Sequence, residues 1–270
     1  MTRPSPTLAR WLILAAVLAF WELMPLTGLI PELFLPPLSK TVAVLVKDWR
    51  EYGSELLVTL YEVACAMLIA CGAGILTGAL IGGVALLRNL LLPVFSSLYA
   101  VPIVILYPIF TAWFGIGSES KIIFAGVYGF FPVMLSTAAG IRTIEAQLLL
   151  AARSMGANLP QQITRVIIPA SIPTVLAGLR LGGALTIVGV VVSEMLISSA
   201  GIGYLVTRYR TILDSPHVFG AIVVILLLSI AFDTFARAIE RRTLVWQTAG
   251  RREKQGETPR VVGAPAPAPV

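Results

Sequence analysis

The chain has 270 residues, of which 57% are apolar and only 13% carry a charge. Roughly a quarter of the residues of a soluble domain are charged, so water cannot be the main solvent of this chain. Lysine and arginine exceed aspartate and glutamate by 20 to 14, but the basic residues gather at the ends of apolar runs rather than on one face, which argues against nucleic-acid binding and for orientation in a membrane.

Apolar runs long enough to cross a bilayer follow one another along the chain. A helix needs about 20 mainly apolar residues to span a hydrocarbon core of about 30 Å. Six runs meet this requirement, at about residues 11–30, 56–87, 90–114, 121–140, 172–197 and 218–239. Arg3 and Arg10 precede the first run as in a secretory signal peptide, but no small-residue cleavage site comes before Pro31, so we expect the run to be retained. The predicted fold is an all-α integral membrane protein with six transmembrane helices.

Basic residues are distributed unevenly between the two sides of these spans. With a cytoplasmic N-terminus, the cytoplasmic side carries Arg3, Arg10, Arg88, Arg142, Arg153, Arg165, Arg237, Arg241, Arg242, Arg251, Arg252, Lys254 and Arg260. The opposite side carries only Lys40, Lys47, Arg50, Lys121, Arg208 and Arg210. The positive-inside rule therefore predicts that both termini are cytoplasmic.

The spans and their connections divide the chain into three parts. Residues 1–10 are predicted to be a cytoplasmic N-terminus, and residues 11–247 form the six-span domain with a long cytoplasmic loop at 141–171. Residues 248–270 are polar or proline-rich and cannot bury a core, so we predict a disordered cytoplasmic tail.

The loop at residues 141–171 has the pattern of two short helices rather than a turn. Residues 146–155 are helix formers, and Gly156 can end that helix. Asn158 with Pro160 can cap and open the next helix, which Pro169 is expected to stop. A structured loop on the cytoplasmic side indicates a docking partner.

This loop resembles the signature loop of ABC-importer permeases, which reads Glu-Ala-Ala, three residues, Gly, nine residues, Ile, one residue, Leu-Pro. The residues in register are Ala151, Ala152, Gly156, Val166 and Pro169, while Leu150 replaces the usual glutamate and Ile168 the usual leucine. Residues 35–39 (Leu-Pro-Pro-Leu-Ser), 113–117 (Trp-Phe-Gly-Ile-Gly) and 192–195 (Val-Ser-Glu-Met) also resemble segments of the sulfonate, taurine and nitrate permeases. The resemblance covers most of the chain.

The resemblance implies a type I ABC-importer permease subunit in the bacterial inner membrane. Such a subunit moves a small solute, such as an alkyl sulfonate, taurine or nitrate, inward by alternating access. Its partners would be membrane lipid, a second permease copy in a homodimer, two cytoplasmic ATPase subunits and a periplasmic or lipid-anchored solute-binding protein. Residues 146–157 would form the coupling helix, with Leu150, Ala151, Ala152, Arg153, Gly156 and Ala157 as the ATPase-coupling residues. ATP and Mg²⁺ would bind the partner subunits, and no cofactor is expected on this chain.

Small residues recur inside two of the spans. Gly74, Gly78 and Gly82 are spaced every four residues, and Gly178 and Gly182 repeat the pattern in the fifth span. Glycines at this spacing line one helical face and let another helix approach closely. The pattern is compatible with static helix packing and with a surface that slides during alternating access.

Glu194 and Trp113 are the candidate residues of the translocation path. A charge inside a span is costly, so Glu194 either lines the path or pairs with a basic residue or a helix terminus. Trp113 either lines the path or anchors a span end at the membrane interface. Glu62 is expected near the outer end of its span, where it can reach water, and Asp233 is expected to pair with Arg237 one turn later.

Other functional classes have less support. No lysine stands in a Gly-x4-Gly-Lys-Ser/Thr loop, so we expect no ATPase site and no catalytic residues in this chain. His217 is the only histidine, and Cys65 and Cys71 lie on one span, so no metal site is expected. The remaining alternative is a self-sufficient secondary transporter or channel, which should show ion-coupling residues or broken helices in matched halves. Pro102 and Pro108 are expected to kink or break the third span.

Overall fold

A computed structural model describes the backbone of residues 6–256 and the side chains of residues 7–243, and all regular secondary structure in that range is helical. The α-helices are α1 Pro6–Leu26, α2 Leu38–Lys47, α3 Trp49–Gly83, α4 Ala85–Tyr99, α5 Tyr107–Phe114, α6 Ser118–Arg142, α7 Ala146–Ser154, α8 Leu159–Gln162, α9 Ile168–Leu196, α10 Ile202–Thr211 and α11 Ser215–Gly256. A 3₁₀ turn at Ile103–Leu106 precedes α5, and a π-helical turn at Ile163–Ile167 joins α8 to α9.

Five helical stretches of the described chain are long and apolar enough to cross a membrane. They are Thr7–Leu26, Trp49–Gly83, Ser118–Arg142, Leu159–Leu196 and Ser215–Thr243. A sixth stretch consists of α4 and the segment Ile103–Phe114, which are bent by 82° at a short break. The six predicted spans are thus all present as helices, and the third is broken.

The bent stretch must cross the whole bundle. Ion pairing of Glu62 with Lys121 and close packing of Gly82 on Ala138 show that α3 and α6 run parallel. The chain leaves α3 at one end of the bundle and must therefore return to the opposite end before α6 begins. Residues 85–114 make that return. We call the end with residues 141–171 the loop end, and the opposite end, with α2 and α10, the α10 end.

The centre of the bundle is α6, which packs between α3 and α9. All five predicted packing glycines face this helix. On α3, an added Cβ atom would lie 2.8 Å from Val133 at Gly74, 2.5 Å from the Met134 carbonyl oxygen at Gly78 and 3.0 Å from Ala138 at Gly82. On α9, Gly178 packs on Ser136, and an added Cβ atom at Gly182 would lie 2.8 Å from the Gly129 carbonyl oxygen. The glycines therefore set how closely α3 and α9 approach α6.

The first and last helices extend beyond the predicted spans. The helix α1 begins at Pro6, inside the predicted N-terminal segment, and its membrane-length window buries none of its residues. It is attached near the α10 end, where the Trp21 indole donates a hydrogen bond to the Pro36 carbonyl at 3.0 Å. The helix α11 continues to Gly256, into the segment 248–270 predicted to be disordered, because its arginine, lysine, glutamate and glutamine residues are good helix formers. The rest of that tail, residues 257–270, lies outside the described residues.

The prediction that Pro169 stops a helix is wrong. Residues Leu159–Leu196 form one membrane-length helical stretch that runs through Pro169 and Pro173. A proline inside a helix removes one amide donor and crowds the carbonyl four residues earlier. Here the π-helical turn Ile163–Ile167 comes directly before Pro169, and such a turn changes the local hydrogen-bond ladder from i→i+4 to i→i+5. The loop between the fourth and fifth spans is therefore shorter than predicted.

Candidate coupling loop and translocation path

The short helix α7 is ended by a glycine in the left-handed conformation. Gly156 has φ +78°, and its amide donates to the Arg153 carbonyl at 2.9 Å. The Ala157 amide donates to the Ala152 carbonyl at 3.0 Å. These two bonds form the Schellman motif, which satisfies carbonyls that the helix end would leave unpaired. The geometry fixes the direction in which the chain leaves α7.

A capping box begins the next helix immediately. The Asn158 side chain accepts a bond from the Gln161 amide at 3.0 Å, and the Gln161 side chain accepts one from the Asn158 amide at 2.9 Å. Gln162 then joins α7 to the start of this helix, since it accepts from Arg153 at 3.3 Å and donates to the Ala157 carbonyl at 2.8 Å. As a result, α7 is held as a rigid unit against the continuous stretch Leu159–Leu196.

The six predicted coupling residues differ in exposure. Ala152 is buried, and Ala157 is half-buried. Ala151, Arg153 and Gly156 are exposed, and Leu150 exposes 65% of its surface. Next to α7 lies a cleft of about 560 Å³, whose lining includes Leu148, Met155 and Val166.

Glu194 lies at the α10 end and is fully buried. One of its carboxylate oxygens accepts from the Thr59 hydroxyl at 2.8 Å, and the other accepts from the Gly203 amide at 2.8 Å. Glu55 accepts from the Gly201 amide at 2.6 Å, and Thr59 accepts from the Ile202 amide at 2.9 Å. Three amides at the start of α10 are therefore capped by side chains of α3 and α9. Glu194 is bound to a helix terminus, and its side chain does not face an open path in this structure.

A second buried group, Glu62 with Lys121, lies in the same region. Lys121 Nζ is 2.5 Å from Glu62, and both side chains are almost completely buried. Ser118 donates to the same Glu62 oxygen at 2.8 Å, and Lys121 donates to Ser198 at 3.0 Å. The expectation that Glu62 reaches water is wrong, because α6 and the segment after α9 cover it. This pair joins three parts of the chain: α3, α6 and the α9–α10 connection.

The other candidate residues lie at the surface of the chain or near the loop end. Trp113 exposes 72% of its surface and contacts the ring of Phe110 at a centroid distance of 6.3 Å. The predicted pair of Asp233 with Arg237 is present, and Arg180 of α9 donates to Asp233 at 2.7 Å. Of the two predicted path residues, Glu194 is fully buried and Trp113 lies on the surface.

Lys121 is a residue of this region that was not predicted from the sequence. Its place at the start of an apolar run predicts a charge outside the membrane, yet its side chain is buried with Glu62. A partial signal is present in the sequence: the second and fourth predicted spans contain one glutamate and one lysine, and each of these charges would be costly if unpaired. Their parallel arrangement, which brings them together, is not visible in the sequence.

At the α10 end, α10 is also tied to the first turn of α3. Arg208 pairs with Glu51 at 2.6 Å, and the Tyr209 phenol donates to the other Glu51 oxygen at 2.6 Å. Burial, together with the hydrogen bond to Glu51, raises the pKa of Tyr209, so the phenol remains a donor at physiological pH. Helix α10 is therefore fixed at both of its ends.

Comparisons with known proteins identify the family of this chain. Residues 71–245 match the family model described as binding-protein-dependent transport system inner membrane component. The chain belongs to this family. It is the permease subunit of an ABC importer and a multi-pass protein of the inner membrane.

Two relatives match the permease over nearly its whole length. It is 32% identical over 241 residues to the putative aliphatic sulfonates transport permease protein SsuC of Bacillus subtilis, covering 88% of this chain and 87% of the relative. It is 30% identical over 240 residues to the taurine transport system permease protein TauC of Escherichia coli, covering 86% and 87%. These matches confirm the resemblance to sulfonate and taurine permeases.

A solved structure shows the same fold. A chain of the MetNI methionine ABC transporter in an inward-facing conformation superposes with a TM-score of 0.60 at 17% identity. The match covers 98% of that chain but 74% of this permease. The type I importer fold is therefore shown, and this chain has segments that the solved structure lacks.

Proposed function

We propose that this permease moves a small organic anion of the sulfonate type inward by alternating access, driven by ATPase subunits that dock on α7. The substrate class is supported by the names of the two relatives, which match over most of the chain. The orientation is supported by the excess of arginine at the loop end, which favours cytoplasmic termini and a cytoplasmic α7. An ATPase could then reach α7, and a solute-binding protein could reach the α10 end.

The exposed, rigidly capped helix α7 carries this proposal. Nucleotide-driven closure of an ATPase can move a permease only if the contacted helix transmits force instead of bending. The hydrogen bonds of Gln162 join α7 to the stretch Leu159–Leu196. That stretch packs on α6 through Gly178 and Gly182, so a displacement of α7 reaches the core of the bundle.

A second copy of the chain is the proposed neighbour of the broken third span. Many side chains of α4, the 3₁₀ turn and α5 are apolar and exposed, among them Leu86, Ile105 and Trp113. None of the α4 residues is buried. A paired permease would cover this surface and enclose a path between the two copies.

The test of the ATPase contact uses the exposed face of α7. We expect Leu150→Asp to weaken co-purification with the ATPase at least tenfold, because it replaces an apolar contact worth about 1.5–3 kcal/mol with a charge. The chain should still insert and fold, since Leu150 has little contact with the rest of the permease. Ala152→Asp is unsuitable, because Ala152 is buried and its substitution would disturb the loop itself.

The matched control is Asn89→Asp, which adds the same charge at an exposed position of the loop end, outside residues 141–171. Co-purification should be unchanged in this variant. Equal ATPase binding by Leu150→Asp and Asn89→Asp would refute docking on α7. Solute uptake into liposomes by the permease alone, without ATP, would favour a secondary transporter instead.

A further inference from the structure

A small pocket lies at the break of the third span. Its volume is about 220 Å³, and its wall is formed on one side by the break itself, including Tyr99, Val101 and Pro102. The opposite side consists of Tyr128 of α6 and Leu185 of α9. Because these two residues lie near the middle of their helices, the pocket lies at mid-depth of the bundle.

The residues that line the pocket carry hydrogen-bond donors that no other described residue uses. The phenol groups of Tyr99 and Tyr128 form no hydrogen bond with another described residue, and neither does the backbone amide of Ile103, which also lines the pocket. None of the lining residues carries a charge. Val101, Pro102 and Leu185 make the rest of the wall apolar.

The physical chemistry of membranes restricts where a span can be broken. Non-helical backbone at membrane depth is tolerated only where it is buried in protein or lines a water-filled cavity. In transporters, discontinuous spans near the bilayer midplane form the places where solutes bind. The break of the third span, with a pocket beside it and unpaired donors on the lining residues, therefore has the properties of a solute-binding site.

We propose that this pocket is a solute-binding site in the transport path and that it takes small organic anions. The proposal rests on the proposed import function and names a site for it. The phenol and amide donors would bind the oxygen-rich head of a sulfonate or carboxylate, and the apolar wall would contact a short carbon chain. The volume is below the range of about 300–1,000 Å³ typical of sites for drug-sized ligands, so the solute has few heavy atoms.

A pocket without charged residues would bind an anion only moderately, which suits a transport path. A solute in transit must bind well enough to enter and weakly enough to leave. Neutral donors satisfy an anionic head without the tight pairing that a buried arginine or lysine would give. The buried cation Lys121 is paired with Glu62 in this structure and so does not compete for the solute.

Cysteine labelling tests access and occupancy directly. In a complete transporter with Cys65 and Cys71 replaced by alanine, Leu185→Cys is exposed to 2-sulfonatoethyl methanethiosulfonate, a small sulfonate that does not cross lipid. We expect labelling, and we expect saturating ethanesulfonate to slow it at least fivefold. Leu68→Cys, on an exposed apolar position in the middle of α3, is the control and should remain unlabelled.

Removal of the phenol oxygens tests recognition. Tyr99→Phe and Tyr128→Phe each delete one donor, and we expect each to raise the KM for ethanesulfonate roughly fivefold, as for loss of one hydrogen bond. Tyr61→Phe, at an exposed position of α3, should leave the KM unchanged.

Failure of this site can be distinguished from failure of the importer function. If the complex with native Leu185 takes up ethanesulfonate with ATP but Leu185→Cys is unlabelled or unprotected, the pocket is not the site. If propanol protects as well as ethanesulfonate, recognition of an anionic head is wrong. Absence of ATP-driven uptake of any sulfonate by the unsubstituted complex would contradict the proposed function itself.

Discussion

Replacement of Lys121 by methionine is expected to destabilise the permease by about 3–5 kcal/mol, because it leaves Glu62 as a buried carboxylate without its cation. For a chain of this size, that loss corresponds to a fall of about 6–20 °C in the melting temperature. The measurement is the fraction of detergent-solubilised protein that stays monodisperse after heating, followed by size-exclusion chromatography. Folded yield should fall in parallel.

Two further variants separate the effect of a buried charge from other effects. Adding Glu62→Gln to Lys121→Met removes the unpaired charge and should recover most of the lost stability. Lys40→Met breaks an ion pair with Glu32 in which both side chains are about half exposed, 53% and 51%, so it should cost only about 0–1 kcal/mol. If Lys121→Met and Lys40→Met melt at the same temperature, the buried pair does not hold the α10 end together.

The properties of the fold that depend on residues close together in the sequence were predictable. Each span could be found because about 20 consecutive apolar residues are a local signal. The end of α7 at Gly156 and the cap at Asn158 depend on residues within one turn, and both are present. The break of the third span follows from Pro102, whereas Pro108 lies in the first turn of α5, where a missing amide costs little.

Features that depend on which helices are neighbours were not predictable. Glu62 and Lys121 are paired because α3 and α6 run parallel, and Thr59 caps α10 because α3 passes beside its first turn. Neither relation has a signature in the chain order. Pro169 failed as a stop signal for a different reason, since a π-helical turn before it accommodated the proline. Nothing in the sequence distinguishes Tyr99 and Tyr128, which line the proposed solute pocket, from Trp113.

The second large effect is expected at Gly78, on the face of α3 that touches α6. A Cβ at this position would lie 2.5 Å from the Met134 carbonyl oxygen and 2.7 Å from the Thr137 Cβ atom. A backbone oxygen cannot move aside as a side chain can, so Gly78→Leu must push α3 and α6 apart. Overpacking of a core by side chains alone already costs about 1–3 kcal/mol. We expect folded yield to fall at least tenfold, measured by fluorescence-detected size-exclusion chromatography.

Gly72 provides the matched control, because it lies on the same helix and a Cβ there meets nothing within 4 Å. Gly72→Leu should fold as well as the wild type or better, since leucine ranks just below alanine as a helix former and glycine is less favourable than alanine by about 0.8–1 kcal/mol. Equal folded yields for the two leucine variants would contradict the packing geometry of α3 on α6.

Gly82 can distinguish static packing from sliding on the same face. A Cβ at Gly82 would lie 3.0 Å from the Cα atom and the carbonyl oxygen of Ala138, against 2.5 Å to a backbone oxygen at Gly78, so the helices need to separate by only a few tenths of an ångström and Gly82→Ala should fold. If α3 and α6 remain fixed together during transport, ATP-driven uptake by this variant should proceed at the normal rate. If the helices slide past each other, the added methyl group must cross the ridge at Ala138, and uptake should slow while folded yield and ATPase binding stay normal. Since α6 is also held by α9 through Gly178 and Gly182, we expect the first result: α3, α6 and α9 move as one body.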